Sequence, residues 1–389
     1  MVRTKTISVK TAVVFFSGLG LILALILLVP VFLSAGITGE CSNCHTMHNS
    51  QGGAEMATYG SGQVWSDTTP QPALLRGTCL GCHGQGGTDM IKTINGSPIP
   101  QVYHTGATDL ASGNFNHIVK VGGGDDRGHN VIALSNVDGV LDGPPGYINQ
   151  SFHDVAVTDS NLTCAGENGC HGTNRYQGLG SGIPAIKGAH HGNVDGKCDA
   201  PTTVAKSYRF LYGVKGLENT TDKWQNLTAG SHNEYYGAST PALLGCGGGE
   251  TSCHAGPSGS AMPPNNTISE FCGTCHGNFH TLTTGSSSGI GSSASSPFQR
   301  HPTDIVIKNT GEYSAAGRVF NPNAPVGRTT VYDAVSSAAT TSDVVTCLSC
   351  HAAHASNYAD MLKWDYSTMN AGGGSNTNGC FACHTEKDT

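Results

Sequence analysis

Five times along this chain two cysteines stand three positions apart with a histidine directly after the second: Cys41/Cys44/His45, Cys79/Cys82/His83, Cys272/Cys275/His276, Cys347/Cys350/His351 and Cys380/Cys383/His384. Cys-x-x-Cys-His is the attachment signature of c-type haem. The two thiols form thioethers to the vinyl groups, and the histidine is left to ligate the iron. One copy can arise by chance or belong to a zinc site; five copies leave little room for either. Two further groups have a longer loop between the thiols: Cys164, Cys170 and His171, and then Cys246, Cys253 and His254. Their loops, Ala-Gly-Glu-Asn-Gly and Gly-Gly-Gly-Glu-Thr-Ser, are rich in Gly, which permits the backbone conformations that a bulged loop needs. Together the seven groups predict seven covalent haems. The alternative for the two wider sites is that Cys164, Cys246 and the leftover Cys198 are thiols or a disulfide, with haem held by one thioether or absent. Cys198 has no histidine after it and reads most simply as a spare thiol.

Seven proximal histidines leave eleven of the 18 for other work. Neutral imidazole is a common second axial ligand of electron-transfer haems. His48 and His354 each fall three residues after a proximal histidine, too near along the chain to reach the same iron, so a neighbouring haem is their expected target. His280 follows His276 by four residues with the same consequence. His301 precedes the strand-like run 304–308 and is expected to be presented from an ordered edge. His129, His232 and the His190 and His191 pair come next, while His104, His117 and His153 have the weakest settings. Met47, two residues past His45, competes as a thioether ligand for the first haem; its plainer role is an apolar contact.

The elements that would position these groups are sparse. In 389 residues there are 54 glycines and only 12% charged residues, and helix-period apolar patterns are missing after residue 35. Such a chain has little with which to build an ordinary core, and haem macrocycles are expected to fill it. The fold class expected is therefore a multihaem cytochrome c with one N-terminal transmembrane helix and a largely irregular exported region of short helices and a few short strands. Turn chemistry at 122–128 and 142–146 surrounds short strand-like pieces. The expected divisions are a cytoplasmic tail at 1–10, an anchor at 11–35, a two-haem region at 36–160 and a five-haem region at 161–389. The formal charge is −7, and filled sites would add roughly 14 propionates. No basic stripe points to nucleic acid.

The anchor is expected from the uncharged, largely apolar run 11–33. A membrane span needs about 20 apolar residues, whereas a cleavable leader has a hydrophobic region of about 7 to 15. Arg3, Lys5 and Lys10 precede it, which places the tail in the cytoplasm and the haem region in the periplasm, on a single-pass inner-membrane protein. The competing reading is a long leader cut near residues 34–36.

The chain resembles the multihaem c-type cytochromes of metal-reducing deltaproteobacteria. The likeness is carried by the segments 127–131, 142–146, 232–235, 300–304, 347–355, 359–366 and 379–384. Within that group it looks most like the membrane-anchored seven-haem cytochromes associated with quinol-oxidising complexes. The resemblance implies bis-histidine haems and electron passage from quinol, or from quinol-oxidising membrane subunits, to periplasmic c-type cytochromes. The N-terminal stretch, through Cys41, Cys44, His45 and Met47, is also similar to the tetrahaem quinol dehydrogenases of nitrite and nitrate respiration; seven sites and His48 depart from that pattern. The function expected is an electron-transfer subunit rather than a stand-alone enzyme. A terminal reductase is one alternative, although no Cys-x-x-Cys-Lys motif occurs. The other is an extracellular haem filament, which requires the N-terminus to be removed.

Overall fold

The computed structural model describes residues 40–47, 50–51, 54–55, 71–85, 87–94, 96–119, 124–135, 138, 141, 143–145, 161–166, 168–172, 182–186, 196–198, 201–239, 266–276, 301–315, 318–330, 334–373 and 377–387. Regular structure among them is short and scattered. Four α-helices, α1 (Cys79–His83), α2 (Asn116–Val119), α3 (Ile268–Gly273) and α4 (Cys347–Cys350), have at most six residues each. Three strand pairs stand apart from one another. Two are antiparallel, β1 (Ser50–Gln51) with β2 (Ala54–Glu55) and β3 (Ile91–Ile94) with β4 (Ser97–Pro100); the third is parallel, β5 (Thr163–Ala165) with β6 (Gly169–His171).

Six more small strands make one sheet: β7 (Lys197–Cys198), β8 (Gly216–Leu217), β9 (Glu234–Tyr236), β10 (Ile305–Val306), β11 (Gly327–Arg328) and β12 (Val344–Val345). Their order is β10-β12-β11-β9-β8-β7, antiparallel except for β9 beside β11. Tyr235 is registered between Gly216 and Gly327. A Cβ on Gly216 would meet the Tyr208 ring at 2.7 Å, so glycine lets that ring lie against the sheet.

The apolar interior is divided among small clusters. Cys198, Tyr208, Val214, Tyr235 and Ile268 form one; Phe115, Ile118, Val131 and Ala355 form another; Ile307, Phe320 and Val326 form a third. The second cluster joins residues 115–131 to residue 355. The main chain does the same, through a bridge between Gly128 and Ala355 and through the His129 amide, which donates to His354 O at 3.0 Å.

The irregular region with short helices and few strands is what the structure has, but the membrane-spanning part of the expected fold class needs correction. The anchor at 11–35 lies outside the described residues. Among the described residues no helix is long and apolar enough to cross a membrane.

A row of candidate haem sites

The attachment motifs fold locally for a reason visible in their flanks. Thr78 and Thr267 cap α1 and α3 through their hydroxyls, accepting from the Gly81 and Glu270 amides at 3.0 and 3.1 Å. Thr346 and Ser349 cap α4 reciprocally. Caps of this kind stabilise a helix start by about 1 kcal/mol, enough to matter for a single turn. At four of the five regular motifs the histidine amide donates to the carbonyl of the first cysteine, at 2.8 Å for His45 and 3.0 Å for His276, His351 and His384. One turn thus sets both thiols and the imidazole beside one another. The motif at α3 differs in its position on the helix. Both cysteines lie within α1 and within α4, whereas Cys272 is inside α3 and Cys275 falls just past its end. The turn is kept there by the Cys275 amide, which donates to Cys272 O at 3.1 Å, and the Cys275 thiol stays partly buried beside its partner.

The wider site at Cys164 and Cys170 is built differently. The parallel strands β5 and β6 run side by side with Thr163 opposite Gly169 and Ala165 opposite His171. Gly166 turns the loop at φ 91°. A Cβ on Gly169 would strike the Ala165 amide nitrogen at 2.5 Å. The extra residues are absorbed by this loop, and Cys164 comes back within electrostatic reach of Cys170.

The described proximal histidines share one arrangement, in which Nδ1 is engaged in a hydrogen bond. The Nδ1 partners are the carbonyls of Ala73 for His45 (2.9 Å), Pro100 for His83 (2.9 Å), Arg209 for His171 (3.1 Å), Pro145 for His276 (2.7 Å) and Asp360 for His351 (2.6 Å). For His384 the partner is the Tyr313 hydroxyl at 2.9 Å. A donor at Nδ1 fixes the tautomer with a bare Nε2, the form that binds metal. Three of these carbonyls belong to left-handed residues followed by a second one: Ala73 and Leu74, Arg209 and Phe210, Asp360 and Met361, all with φ between 47° and 62°. Each pair is followed by a leucine, and Leu75 and Leu362 bridge directly to His45 and His351. Non-glycine residues adopt this conformation at a cost of roughly 1–2 kcal/mol each, so it persists where the surroundings hold it. Sequence reading missed these carbonyl acceptors because a main-chain oxygen has no side-chain signal. The leucine that follows each pair is too common a residue to have found them.

Three second histidines face proximal ones. The ring centroids of His276 and His129 are 6.2 Å apart, those of His171 and His354 6.1 Å, and those of His384 and His301 6.2 Å. Two imidazoles bound across one metal give about 6.2 Å between centroids, from a metal–nitrogen bond of about 2 Å and about 1.1 Å from nitrogen to ring centre on each side. The spacing therefore fits a bis-imidazole haem. His129 and His301 also turn Nδ1 to carbonyls, of Ala353 at 2.7 Å and Pro302 at 3.0 Å. Desolvation, with His276 adding to it, pushes His129 down to about 4. Desolvation, with His171 and His129 adding to it, pushes His354 down to about 3. Desolvation also lowers His83 and His171. All four are held as neutral imidazole, the ligating form.

Other histidines are placed differently. His232 is fully buried, lies flat on Phe320 at 3.5 Å and 15°, and has Glu234 3.5 Å from Nε2. His104 is also fully buried; its Nδ1 accepts from the Gly106 amide at 3.2 Å. His117 Nε2 donates to Asp109 at 2.8 Å. Met47 is 75% exposed. Cys198 is buried in the core, its thiol donating to Lys206 O. His48, His153, His190, His191 and His280 lie outside the described residues. So does the whole of the second wider site, Cys246, Cys253 and His254, so the structure places the thiol pairs and proximal histidines of six of the seven expected sites, with a second histidine facing three of them.

The described attachment sites follow one another in space as in sequence. Cys82 is within electrostatic reach of Cys44, Cys164 of Cys79, Cys272 of Cys170 and Cys347, and Cys350 of Cys380 and Cys383. Burial pushes the Cys82, Cys164 and Cys350 thiols up to about 12, a setting that disfavours thiolate ligation of a bare metal ion. Among the described residues no three His, Cys, Asp or Glu side chains converge as a metal-ion site. Imidazole pairs beside thiol pairs suit a macrocycle that supplies its own equatorial ligands.

This geometry defines a multihaem c-type cytochrome, and the comparisons with known proteins agree. Residues 339–389 match the family model described as a doubled CXXCH motif. The chain is 26% identical over 377 residues to the C-type cytochrome OmcS of Geobacter sulfurreducens, covering 86% of this chain and 80% of that one. Two solved structures are similar. The Outer Membrane Cytochrome S filament of the same organism is 21% identical over 86% of this chain and 85% of that one, with a TM-score of 0.42. The OmcS nanowires are 20% identical over 85% and 84%, with a TM-score of 0.41. The doubled motif and the match to a c-type cytochrome agree with c-type haem at these sites.

The expected localisation, a single-pass inner-membrane protein facing the periplasm, is corrected together with the anchor in the fold class: among the described residues no helix is long and apolar enough to cross a membrane. The physical reason for the error is plain. The apolar run 11–33 shows that a segment can enter a bilayer, and its length does not show that it stays there.

Proposed function

We propose that the chain conducts electrons through seven covalent haems and does so as the subunit of an extracellular filament. The observation that carries the conducting role is the row of attachment sites, with three imidazole pairs at 6.1–6.2 Å along it. What the protein contributes is geometry. Single turns fix the thiols of the regular motifs, main-chain carbonyls or, at His384, the Tyr313 hydroxyl fix the proximal tautomers, and His129, His301 and His354 would supply second ligands to haems held at His276, His384 and His171. Irons held between two imidazoles would have no position open for substrate, which favours a conductor over a terminal reductase. The regions 36–160 and 161–389 act as one conductor, since Gly128 and His129 are bonded to Ala355 and His354. The filament is supported by the curated relative, matched over 86% of the chain, whose solved structures are titled as nanowires. The partners in this reading are further copies of the chain and other redox proteins.

The test is the native protein, sheared from cells, imaged by electron microscopy and weighed by mass spectrometry. Filaments of subunits carrying seven haems each are expected. A monomeric membrane-fraction protein would refute the filament, and a mass with five haems would refute the two wider sites.

A further inference from the structure

Five of the six described proximal histidines give Nδ1–H to a main-chain carbonyl; His384 gives it to the hydroxyl of Tyr313. Behind that hydroxyl stands a carboxylate. Glu312 Oε1 is 3.8 Å from His384 Nδ1, and the Tyr313 hydroxyl interacts with the same carboxyl group. The Glu312 side chain is only 8% exposed, receives the Glu386 amide at 3.1 Å on Oε2 and has Lys387 Nζ 3.9 Å from Oε1. Its negative charge is thus held in place against the tyrosine. An ionised carboxylate only accepts, so the Tyr313 proton points to Glu312 and the Tyr313 lone pair to His384 Nδ1–H.

We propose that Glu312 and Tyr313 form a polarising relay on His384, which gives this ligand imidazolate character and sets the Cys380/Cys383 haem at a lower potential than a carbonyl partner would. A carboxylate behind a ligating imidazole raises the basicity of the ligand. A stronger donor stabilises ferric over ferrous iron, and hydrogen bonding beyond the axial ligand is one of the levers a protein has on haem potential. Tyr313 and Glu312 are positioning and tuning residues; neither touches the iron. This rests on the assignment of His384 and His301 as an axial pair under the function proposed above.

The experiment is a spectroelectrochemical titration of the intact holoprotein and four variants. His301→Met exchanges a ligand and raises the potential of whichever haem it serves, so it identifies that component. Tyr313→Phe is expected to move the same component, and no other, to higher potential. At fixed applied potential its reduced-to-oxidised ratio should rise roughly tenfold, which is about 59 mV for a one-electron couple. Glu312→Gln should shift it in the same direction, and the double variant no further than Tyr313→Phe alone. The haem should stay low-spin throughout, with an altered ferric EPR signal that loss of packing alone would not give. If His301→Met moves a component and Tyr313→Phe leaves it in place, the relay is wrong and the ligand pair stands. If His301→Met moves none, the ligand assignment fails and the relay with it. Additive shifts in the double variant would also overturn the relay, since Glu312 would then act through space alone.

Discussion

Replacing His354 with alanine tests several links at once, because His354 sits in one motif's flank and faces another motif's histidine. It lies three residues after His351, yet its ring centroid is 6.1 Å from that of His171, far earlier in the chain. Removing the imidazole should leave the haem at Cys164 and Cys170 with one protein ligand and turn it high-spin, while the haem at Cys347 and Cys350 stays low-spin. If all seven proposed haems are attached and low-spin, about one-seventh of the ferric low-spin signal should be lost. The fold should survive. The ring stacks on Phe115 at 4.7 Å and 25°, a contact worth about 0.5–1.5 kcal/mol, and with the space left behind the total comes to roughly 2–3 kcal/mol. Ferric EPR and optical spectra read the spin state, and mass mapping of the peptide holding Cys164 and Cys170 shows that haem is still attached there. His354→Met should restore six-coordination and raise one component's potential. A folded His354→Ala protein with an entirely low-spin spectrum would refute the pairing, and a mapped peptide without haem would refute the wider site.

Two further variants probe the scaffold. Gly113 has φ 89°, and a Cβ there would come within 1.9 Å of Ala355 O, next to where the His354 amide donates to Ser112 O at 2.6 Å. Gly113→Ala should cost on the order of 3 kcal/mol, read as a lowered thermal midpoint, and should perturb the spectrum of the haem served by His354. Asp304 is fully buried, and desolvation pushes its carboxyl up to about 7 despite the hydrogen bond from Thr267 at 2.8 Å. A raised folded value means that the folded state holds a proton the unfolded chain releases from about pH 4 upward. Its contribution is therefore complete below about pH 4 and is lost as pH rises through about 7. Asp304→Asn, at a φ of 51° that asparagine tolerates, should flatten this fall and gain about 1–3 kcal/mol at about pH 8. Denaturation of both proteins from acid to mildly basic pH checks it, and parallel profiles would count against the buried proton.

What was legible in the sequence was chemistry fixed by covalent spacing. Cys79, Cys82 and His83 announce a haem wherever they fold, because the signature is local. Nothing comparable marks a distal ligand: His232 and His129 look alike as letters, yet one lies flat on Phe320 inside the sheet region and the other faces His276. Their difference arises from partners distant along the chain. The carbonyls of Ala73, Arg209 and Asp360 were invisible for a related reason, since any residue has one and the left-handed turn that aims it is set by the fold. The apolar run at 11–33 misled because one physical property serves both an anchor and a leader. Gly-rich composition did indicate that the core would be small, and the divided clusters around Tyr235, Phe115 and Phe320 have that character.

A core so divided leaves the spacing of neighbouring haems to short polar contacts at the motif helices. The link between α3 and α4 shows how. The Cys347 amide donates to the Ser269 hydroxyl at 3.2 Å, and Ser349 Oγ donates to Pro325 O at 2.5 Å. Ser269 is fully buried, so its loss leaves an amide at a helix start without its acceptor. Ser269→Ala should cost about 1–2 kcal/mol and alter the distance between these two attachment sites while leaving haem number and ligation intact. Exciton coupling between adjacent haems makes the Soret circular dichroism sensitive to that distance, whereas absorption from isolated haems is not. The variant should therefore change the Soret dichroism at constant absorption. Unchanged dichroism in a protein destabilised by that amount would mean that the haems are held by their ligands alone, and that the caps serve folding without setting the path.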